Sequence, residues 1–595
     1  MENFVSLEES YCEIERQNAE NEEDSFSSDS CSENEDEILH NDDIQDDEFS
    51  VDEEDDMSIS SDDVLNSSYE PLEDERKFFL GKDMETIWTN LPLYPKAAKT
   101  LQQNIISHLP RPNAAACGLT QENDIFSLFI TDEMINIIVE FTNAKIRKKS
   151  TKYASKQWYI APTDPIEIKA LLGLLYMGGV LKDSDLRTAD MFSNRYGPPI
   201  FRCVMSKNRF EFLLRCLRFD DKRTRQARKS TDSFAPFREF WDMFNDNCKT
   251  YYTPSDYLTV DEIILGFRER CPFKLFQPQK PDEYGMKIIS MCDAKTFYFC
   301  SGIPYIGCKK RGKNDLLDPT QYVLSLTEPI KNSDRNVTVD NWFMSYELAQ
   351  EMQERRLTVV GSLRKDKPQI PPMMLKIRQE TSKFLYDDNN VLISFIPKKN
   401  KNTIVLSTMH SSGMIDEDGK PEVILFYNMT KGGVDMVDKL CQHKSTKRQT
   451  RRWTLRYFYS VLDLAALNSY VIFKLNKKFA QFSGTVRTDF LKYLAYSLAE
   501  PQAKRRLEAR NLSHSIRLSI IEFLGIKENV AHTWDAPADS WDSSVPSIEK
   551  LGRCNVCKIS KIHKDRKGRS FCTICRQSLC GEHKRIVCPN CLEII

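Results

Sequence analysis

The spacing of apolar and polar residues divides the chain into helical and strand-like stretches. Between about Ile125 and Asp220, apolar residues recur at intervals of three and four, as in Ile166–Met177 and Arg209–Leu217, and this spacing predicts a helical domain. Short runs rich in β-branched and aromatic residues follow, which predict strands. The predicted strands are Tyr257–Gly266, Gly285–Cys292, Thr296–Cys300, Asn336–Asp340 and Leu357–Leu363.

A helical stretch at Ser345–Arg355 separates the last two predicted strands. Three consecutive strands, a fourth strand, a helix and a fifth strand form the layout of a ribonuclease H-like α/β core. Pro368–Gly419 has few large apolar residues in any sustained period and is predicted to be an inserted subdomain. A helix at Leu455–Leu475 and a second helical region up to about Gly525 are predicted to rejoin the first helical domain.

Charge is distributed unevenly along the 595 residues. Residues 1–75 contain 30 Asp and Glu against one basic residue, Arg16, whereas residues 76–595 contain 57 acidic and 82 basic residues. The acidic segment has too few large apolar groups to offset the entropy of ordering, so it is predicted to be disordered. It is either a solubilising tail or, because serines stand among acids at 27–33 and 60–63, a substrate of an acid-directed kinase. The basic remainder favours a polyanion, and nucleic acid is the expected partner.

The chain contains no run of 18 apolar residues, and residues at its start do not resemble a signal peptide, so no membrane partner is predicted. In a reducing compartment, closely spaced cysteines are expected to bind zinc rather than to form disulfides. Four such pairs lie within the last 42 positions. They are Cys554 and Cys557, Cys572 and Cys575, Cys580 and His583, and Cys588 and Cys591.

Two residues between ligands let both side chains of a pair reach one metal, so these eight residues are predicted to hold two tetrahedral Zn²⁺ ions per chain. An interleaved cross-brace would join the first pair with the third and the second with the fourth. A ubiquitin-ligase RING, a histone-tail reader and a DNA-binding element all remain open for this module. Its many Lys and Arg residues favour phosphate contact or nuclear import.

Three distant segments place aspartates at predicted strand ends or in the turns that follow. They bear Asp261, Asp340 and Asp435, and Asp438 lies three residues beyond, on the same face of a helix predicted to start at Gly432 and Gly433. Any one of these residues could simply be a turn former or a helix N-cap. Together they suggest a site for Mg²⁺ or Mn²⁺, because crowded carboxylates repel one another unless a hard cation lies between them.

The sequence motifs around these aspartates favour metal ligands over turn formers or helix N-caps. TVDEIILGFRERCPF at 259–273, RNVTVDNWF at 335–343 and YNMTKGGVDMVD at 427–438 resemble, in this order, the piggyBac family of DNA transposases. The similarity extends from about Phe126 to the C-terminus. It implies a ribonuclease H-like fold and a cut-and-paste reaction: 3′ nicking of the transposon ends, hairpin formation and opening, and strand transfer into TTAA target DNA.

The resemblance also implies roles for individual residues. Asp261 would bridge two divalent ions, Asp340 and Asp435 would each complete one of the two sites, and Asp438 would bind metal or hold the other ligands. The cysteine-rich module would recognise the transposon ends. Trp453 would stack on unpaired bases at the hairpin, although a large aromatic residue at a helix start could equally be a buried anchor. Six basic residues are candidate phosphate contacts or, as readily, solvated surface charges: Arg364, Lys367, Lys447, Arg448, Arg451 and Arg452.

These observations define an expected domain organisation. It comprises an acidic region (1–110), a helical dimerisation and DNA-binding domain (111–255 and 444–528), a catalytic core (256–367 and 421–443), an insertion (368–420), a linker (529–552) and a zinc module (553–595). The expected protein is a nuclear homodimer that acts on double-stranded DNA. Two alternatives stay open: a domesticated derivative that binds DNA without cutting it, and a cross-brace ubiquitin ligase.

Overall fold

A computed structural model describes most of the chain as two compact units. One unit draws on Met1–Thr131 and Asp220–Gly484, the other on Asp132–Phe219 and Thr485–Ile595. The described residues are 76–92, 108–153, 155, 157–182, 186–276, 283–307, 319–375, 382–398, 401–411, 413–417, 419–479, 486–509, 512–526 and four two-residue strands between 552 and 579.

The first unit contains thirteen described strands, and eleven of them form one mixed sheet. The strands are β1 (Phe78–Leu80), β2 (Ile87–Thr89), β3 (Arg111–Pro112), β4 (Tyr252–Thr253), β5 (Tyr257–Gly266), β6 (Leu275–Phe276), β7 (Tyr284–Asp293), β8 (Phe299–Pro304), β9 (Asn336–Val339), β10 (Thr358–Ser362), β11 (Lys383–Tyr386), β12 (Val391–Lys398) and β13 (Lys401–Ser407). The sheet order is β1-β2-β11-β12-β13-β10-β9-β5-β7-β6, and β8 also pairs with β7. β3 and β4 pair separately.

The centre of the sheet is parallel and its flanks are antiparallel. β5 and β10 both run parallel to β9, whereas β7 lies antiparallel to β5. Every residue of β9 is buried, as are nine of the ten residues of β7, which is the pattern of strands covered on both faces. The chain therefore places the central strands β5 and β9 side by side inside a continuous core.

Helices surround this sheet in the first unit. They are Glu122–Phe129, Lys222–Lys229, Arg238–Thr250, Pro319–Thr327, Tyr346–Glu354, Pro372–Leu375, Glu422–Lys431, Gly433–His443 and Trp453–Phe479. The last of these is long and apolar enough to cross a membrane, yet most of it is buried inside the protein, as expected of a core helix. Within it, Asn468 exchanges hydrogen bonds with the backbone of Phe299, donating at 2.9 Å and accepting at 2.8 Å, and so fixes the helix to β8.

The second unit is mainly helical in its described part, which also contains the four two-residue strands between 552 and 579. Its helices are Asp132–Ser150, Pro165–Val180, Thr188–Met191, Pro199–Val204, Lys207–Cys216, Arg487–Leu507 and His514–Phe523. Asp164 caps the second helix by accepting from the Glu167 backbone N–H. Pro165–Val180 packs closely on Arg487–Leu507, since a Cβ on Gly173 would lie 2.6 Å from the Ala495 carbonyl oxygen. The buried Arg209 and Glu167 form an ion pair at 2.6 Å.

The helical unit draws on two distant segments, Asp132–Phe219 and Thr485–Ile595, whose limits differ from the predicted 111–255 and 444–528. Lys222–Lys229, Arg238–Thr250 and Trp453–Phe479 belong to the first unit. The apolar faces of Arg238–Thr250 and Trp453–Phe479 complete the core around the sheet, and helical periodicity cannot reveal which core a helix joins.

Two other predicted boundaries differ from the structure. The predicted insertion contributes β11, β12 and β13, which extend the central sheet because β13 pairs with the edge of β10. Residues 76–92, which the sequence placed with the acidic region, form β1 and β2; Thr89 pairs with Tyr386, and the buried Trp88 donates to the Gln369 carbonyl at 2.9 Å. Residues 1–75 lie outside the described part.

Candidate active site

Asp261 and Asp340 lie side by side on neighbouring parallel strands. The register of β5 and β9 pairs Val260 with Val339, so the two aspartates occupy the next position on each strand. Asp261 lies within β5, not at its end as predicted, whereas Asp340 directly follows β9. The carbonyl oxygen of Asp340 accepts from the backbone N–H groups of Phe343 and Met344, and this turn holds the aspartate at the strand end.

The third aspartate reaches this place on a helix. The predicted strand before Asp435 is the helix Glu422–Lys431, and a second helix begins at Gly433, as predicted. Thr430 anchors the junction, because its carbonyl accepts from the Thr259 hydroxyl at 2.6 Å and its own hydroxyl lies 2.7 Å from that of Thr338. Both threonines lie two residues before an aspartate, so these contacts bring Asp435 toward Asp261 and Asp340.

Gly433 allows the second helix to lie directly on β5. A Cβ at this position would be 2.4 Å from the Thr259 hydroxyl oxygen and 3.3 Å from the Ala294 Cα, while a Cβ on Gly432 would meet nothing within 4 Å. We expect Gly433→Ala to push the helix away, to lower stability by about 1–3 kcal/mol, and to reduce DNA cleavage at least about tenfold. Gly432→Ala is the matched control and should retain the parent melting temperature and cleavage rate. Equal behaviour of the two variants would contradict this packing.

The aspartates interact electrostatically. Burial and, to a smaller extent, the neighbouring charges of Glu262, Asp340 and Asp435 together raise the pKa of Asp261 to about 7, while the Glu262 backbone N–H, which donates to Asp261, opposes the shift. Asp435 is exposed on the first turn of its helix, and Asp438 accepts from the Gln442 amide at 2.8 Å. Within the described residues, no three His, Cys, Asp or Glu side chains approach closely enough to hold a metal ion.

Sequence reasoning missed two residues that connect to Asp340. The Ser362 hydroxyl, at the end of β10, donates to Asp340 Oδ1 at 3.4 Å, and the buried Tyr427 hydroxyl donates to Ser362 at 3.3 Å. Burial raises the pKa of Tyr427 to about 12, with contributions from Asp340 and Asp261. Tyr427 is the first residue of the YNMTKGGVDMVD motif, and this position could have identified it as a candidate site residue.

Lys287 is a further residue that the sequence did not single out. It lies on β7, where its ammonium group is 3.6 Å from Glu262 Oε2 and 4.6 Å from the ring centre of Trp342. Glu262 follows Asp261 and Trp342 lies two residues after Asp340. The lysine therefore links the strand of one aspartate with the turn that follows the other.

Trp453 occupies a buried aromatic cluster. Its ring centre lies 5.0 Å from Phe273, 5.5 Å from Phe234 and 6.0 Å from Tyr457, and 9% of the residue is exposed. This is the position that the core-anchor interpretation predicts. Stacking on DNA bases stays a prediction for this residue.

We expect Trp453→Ala to lower the free energy of unfolding by about 3–5 kcal/mol. A core anchor would make all reaction steps weaken together, whereas a stacking residue would make a stable variant accumulate nicked DNA. A thermal melt beside a time course of nicked, hairpinned and opened ends separates the two outcomes. Trp158→Ala, at a tryptophan that is 66% exposed, is the control and should keep the parent stability.

The six candidate phosphate contacts lie in two places. Arg364 follows β10 and pairs with Asp366 at 2.8 Å, and Lys367 is half-buried nearby. Lys447, Arg448, Arg451 and Arg452 occupy the extended segment before Trp453, where Arg451 lies 3.8 Å from Glu269. The eight predicted zinc ligands all lie outside the described residues. Around them, Gly552–Arg553 pairs with Lys567–Gly568, and Ser570–Phe571 with Ser578–Leu579.

The chain is similar in sequence and in structure to known proteins. A family model described as Transposase IS4 matches residues 121–470. A piggyBac transposase, solved by cryo-electron microscopy as a synaptic complex with hairpin DNA, is 34% identical, with a TM-score of 0.71 and coverage of 81% of this chain and all of that chain.

Two human proteins are also similar. PiggyBac transposable element-derived protein 3 is 22% identical over 432 residues, covering 67% of this chain and 70% of its own length. The chimeric ERCC6-PGBD3 protein shows the same identity over 39% of its length. The sequence resemblance is thus confirmed by a family model, by curated relatives and by a solved structure, and the chain belongs to the family of piggyBac-like transposases.

Proposed function

We propose that this chain is an active cut-and-paste DNA transposase whose reaction centre is formed by Asp261, Asp340 and Asp435. The convergence of the three carboxylates carries the proposal. Two neighbouring strands and one anchored helix bring them together, and their mutual repulsion helps to raise the pKa of Asp261 to about 7. The strand order β8-β7-β5-β9-β10 supports the ribonuclease H-like core expected from the sequence.

The donor set fits hard divalent cations. Three carboxylates that repel one another are stabilised by a cation between them, and Asp435, exposed on a first helical turn, can reorient toward the other two. Asp261 would be the ligand common to two Mg²⁺ or Mn²⁺ ions, Asp340 and Asp435 would each complete one site, and Asp438 would support them. Such ions would supply Lewis acidity at the scissile phosphate and activate the attacking oxygen.

The chain's own residues orient this centre. Ser362 donates to one oxygen of Asp340 and accepts from Tyr427, and Lys287 fixes the turn that follows Asp340. In the proposed sequence, water cuts the 3′ end of the element, and the freed 3′-hydroxyl attacks the opposite strand to form a hairpin. The hairpin is then opened by water, and the 3′-hydroxyl is joined to a TTAA target. Each step exchanges one phosphodiester oxygen for another and needs no protein nucleophile.

The same proposal includes the rest of the chain. The zinc module, with two Zn²⁺ ions, would recognise the transposon ends, and its folding would depend on the metal. The active form would be a homodimer in the nucleus, since both ends of an element must be cut together and the substrate is chromosomal DNA. Phosphorylation of the serines within 27–33 and 60–63 would add negative charge to the acidic segment 1–75. This segment would then compete more strongly with DNA for the basic part of the chain.

A second candidate is a domesticated protein that binds DNA without excising it. The similarity to a human transposable element-derived protein favours it. Excision from a donor plasmid that carries the chain's own flanking terminal repeats separates the two. We expect the plasmid backbone to be rejoined with the TTAA restored. End binding without excision would contradict the proposed activity and support the second candidate.

The raised pKa of Asp261 predicts a pH dependence of the metal-free protein. The carboxyl binds its proton more tightly in the folded chain, with a pKa of about 7 against 3.8, so its stabilising contribution is complete below pH 3.8, falls as the pH rises from 3.8 and is lost once the pH has passed through 7. This shift corresponds to a loss of up to about 4 kcal/mol. Asp261→Asn should therefore melt well above the parent protein at about pH 8 and close to it at about pH 4. Added Mg²⁺ should reduce the difference at pH 8, and an equal difference at both pH values would contradict the shift.

A further inference from the structure

The aromatic cluster around Trp453 joins three segments that are distant in sequence. Phe234, Phe273 and Trp453 pack on Tyr457, with Phe234 and Phe273 ring centres 5.9 Å apart and those of Phe234 and Tyr457 4.9 Å apart. All four rings are buried in the first unit. Each of the first three residues lies within five positions after a basic stretch of the chain, so the cluster holds those stretches near one another.

The three basic stretches are the helix Lys222–Lys229, the loop 268–270 and the segment 447–452. Arg451 Nε lies 3.8 Å from Glu269 Oε1, which joins the segment to the loop. The Phe234 and Phe273 rings, five positions after the helix and three after the loop, lie 5.9 Å apart and bring the end of the helix toward the loop. The three stretches are therefore held around one cluster.

The helix has a composition that packing does not explain. It carries five basic residues and no acidic residue among eight, and none of its residues is buried. The buried Asp220 pairs with Arg225 at 2.5 Å and with Arg228 at 2.7 Å, and these contacts hold the helix in place. A helix with no apolar face that directs most of its charge outward is expected to meet an oppositely charged partner.

The outward face consists of Lys222, Arg223, Gln226 and Lys229, all of them exposed. Positions 222, 226 and 229 follow helical spacing and form one stripe. Arg268, Arg270 and Arg451 are also exposed on the adjoining stretches. Two acidic residues lie beside them: Glu269, which is 3.8 Å from Arg451, and Asp221, which pairs with Arg223 at 2.9 Å. The excess of positive charge matches the phosphates of nucleic acid.

We propose that these three stretches form one phosphate-binding surface for double-stranded DNA beside the reaction centre. The surface meets β5 at its end, where Arg456 Nε donates to the Gly266 carbonyl at 3.2 Å. Asp261 lies five residues earlier on that strand, or about 17 Å at about 3.4 Å per residue. A duplex with its scissile phosphate at Asp261 reaches the surface after about five base pairs at roughly 3.4 Å per pair. This inference rests on the proposed transposase function and assigns DNA contacts to the helix and loop.

The test compares two sets of charge removals in the full-length protein. Lys222→Gln, Arg223→Gln and Lys229→Gln together remove three cations from the outward face and leave Arg225 and Arg228 in place. The control, Lys249→Gln, Lys331→Gln and Lys420→Gln together, removes three exposed cations from elsewhere in the same unit. Binding to a duplex that contains a transposon end and its flank is measured across a salt series with no Mg²⁺ added, so that no strand is cut. Thermal melts verify that both variants remain folded.

The variant that lacks Lys222, Arg223 and Lys229 should show a shallower negative slope of log affinity against log salt. We expect the magnitude of the slope to fall by roughly 2 to 3, or about 0.9 for each lost phosphate contact. The control should keep the parent slope, and the variant with Lys222→Arg and Lys229→Arg should keep it too. An equal slope in the parent and the first variant, or equal losses in both triple variants, would overturn the proposed surface. Cleavage in Mg²⁺ is scored separately. If the parent protein fails to cut DNA but the triple variant still has a shallower salt dependence than the parent, the transposase function is refuted and the phosphate-binding surface is supported.

Discussion

Replacing Asp261, Asp340 or Asp435 with Asn is expected to abolish strand cleavage while end binding stays nearly unchanged. An amide is similar in size to a carboxylate but has one oxygen and no charge, so it cannot compensate for a divalent cation. We expect each variant to lose at least about a thousandfold in the rate of nicking, equivalent to about 4 kcal/mol. The measurement is a single-turnover assay of nicking on an end-labelled duplex, beside a binding titration of the same duplex.

Two further substitutions make this result specific. Asp246→Asn, at an exposed position of the helix Arg238–Thr250 where Asp246 pairs with Lys249 at 3.0 Å, should cut DNA at the parent rate. Asp438→Asn should lose less of the nicking rate than the other three Asp→Asn variants if Asp438 supports the other ligands rather than binding metal itself. Near-parent nicking by Asp261→Asn, Asp340→Asn or Asp435→Asn would remove that position from the proposed site.

Loss of one zinc ligand is expected to abolish sequence-specific end recognition. The module has hardly any apolar core, so metal binding would supply its folding energy, and Cys554→Ser or His583→Ala should unfold it. We expect affinity for the transposon end to fall by about a thousandfold, toward that for unrelated DNA. The melting transition of the catalytic unit should remain. Zinc analysis should give two ions per parent chain.

Cys117→Ser is the matched control, because Cys117 is exposed and lies outside the zinc module. It should keep both the zinc content and the end affinity of the parent. A parent protein that contains no zinc, or a Cys554→Ser variant that still distinguishes its end from unrelated DNA, would contradict the role of the module.

The sequence predicted the centre of the fold well because its strands are buried on both faces. Tyr257–Gly266 matches β5 at both ends, and Asn336–Asp340 exceeds β9 by one residue. Such strands read as continuous apolar and β-branched runs whose ends are defined by polar residues. The pairing of β5 with β9, which brings Asp261 beside Asp340, required the topology and could not be read from either run alone.

The third aspartate shows where local preference fails. Val423, Ile424, Phe426 and Tyr427 are β-branched and aromatic, and therefore resemble a strand. The buried positions 423, 424, 427 and 430 nevertheless follow helical spacing, and this stripe packs on β5, β9 and β10. Burial of one helical face outweighs residue propensity here, and the resulting helix delivers the Thr430 anchor and Asp435 to the site.

The basic surface shows a second limit of sequence reasoning. Residues 447–452 were recognised because six positions contain four cations, but Lys222–Lys229 and 268–270 gave no sign that they adjoin this segment. Their proximity depends on Phe234, Phe273 and Trp453 meeting in one cluster. Aromatic residues contact others far away in sequence, so the grouping of charges around them follows only from tertiary structure.

The most direct measurement uses the purified, zinc-loaded chain with Mg²⁺ and a duplex that joins its transposon end to flanking DNA. Denaturing gels of both labelled strands distinguish an uncut duplex, a nick at the 3′ end of the element, and a hairpin in which the two strands are covalently joined. We predict that nicked DNA forms first and hairpinned ends follow, with neither product from Asp340→Asn. A folded, end-binding parent protein that leaves both strands intact would contradict the assignment of this site to DNA cleavage.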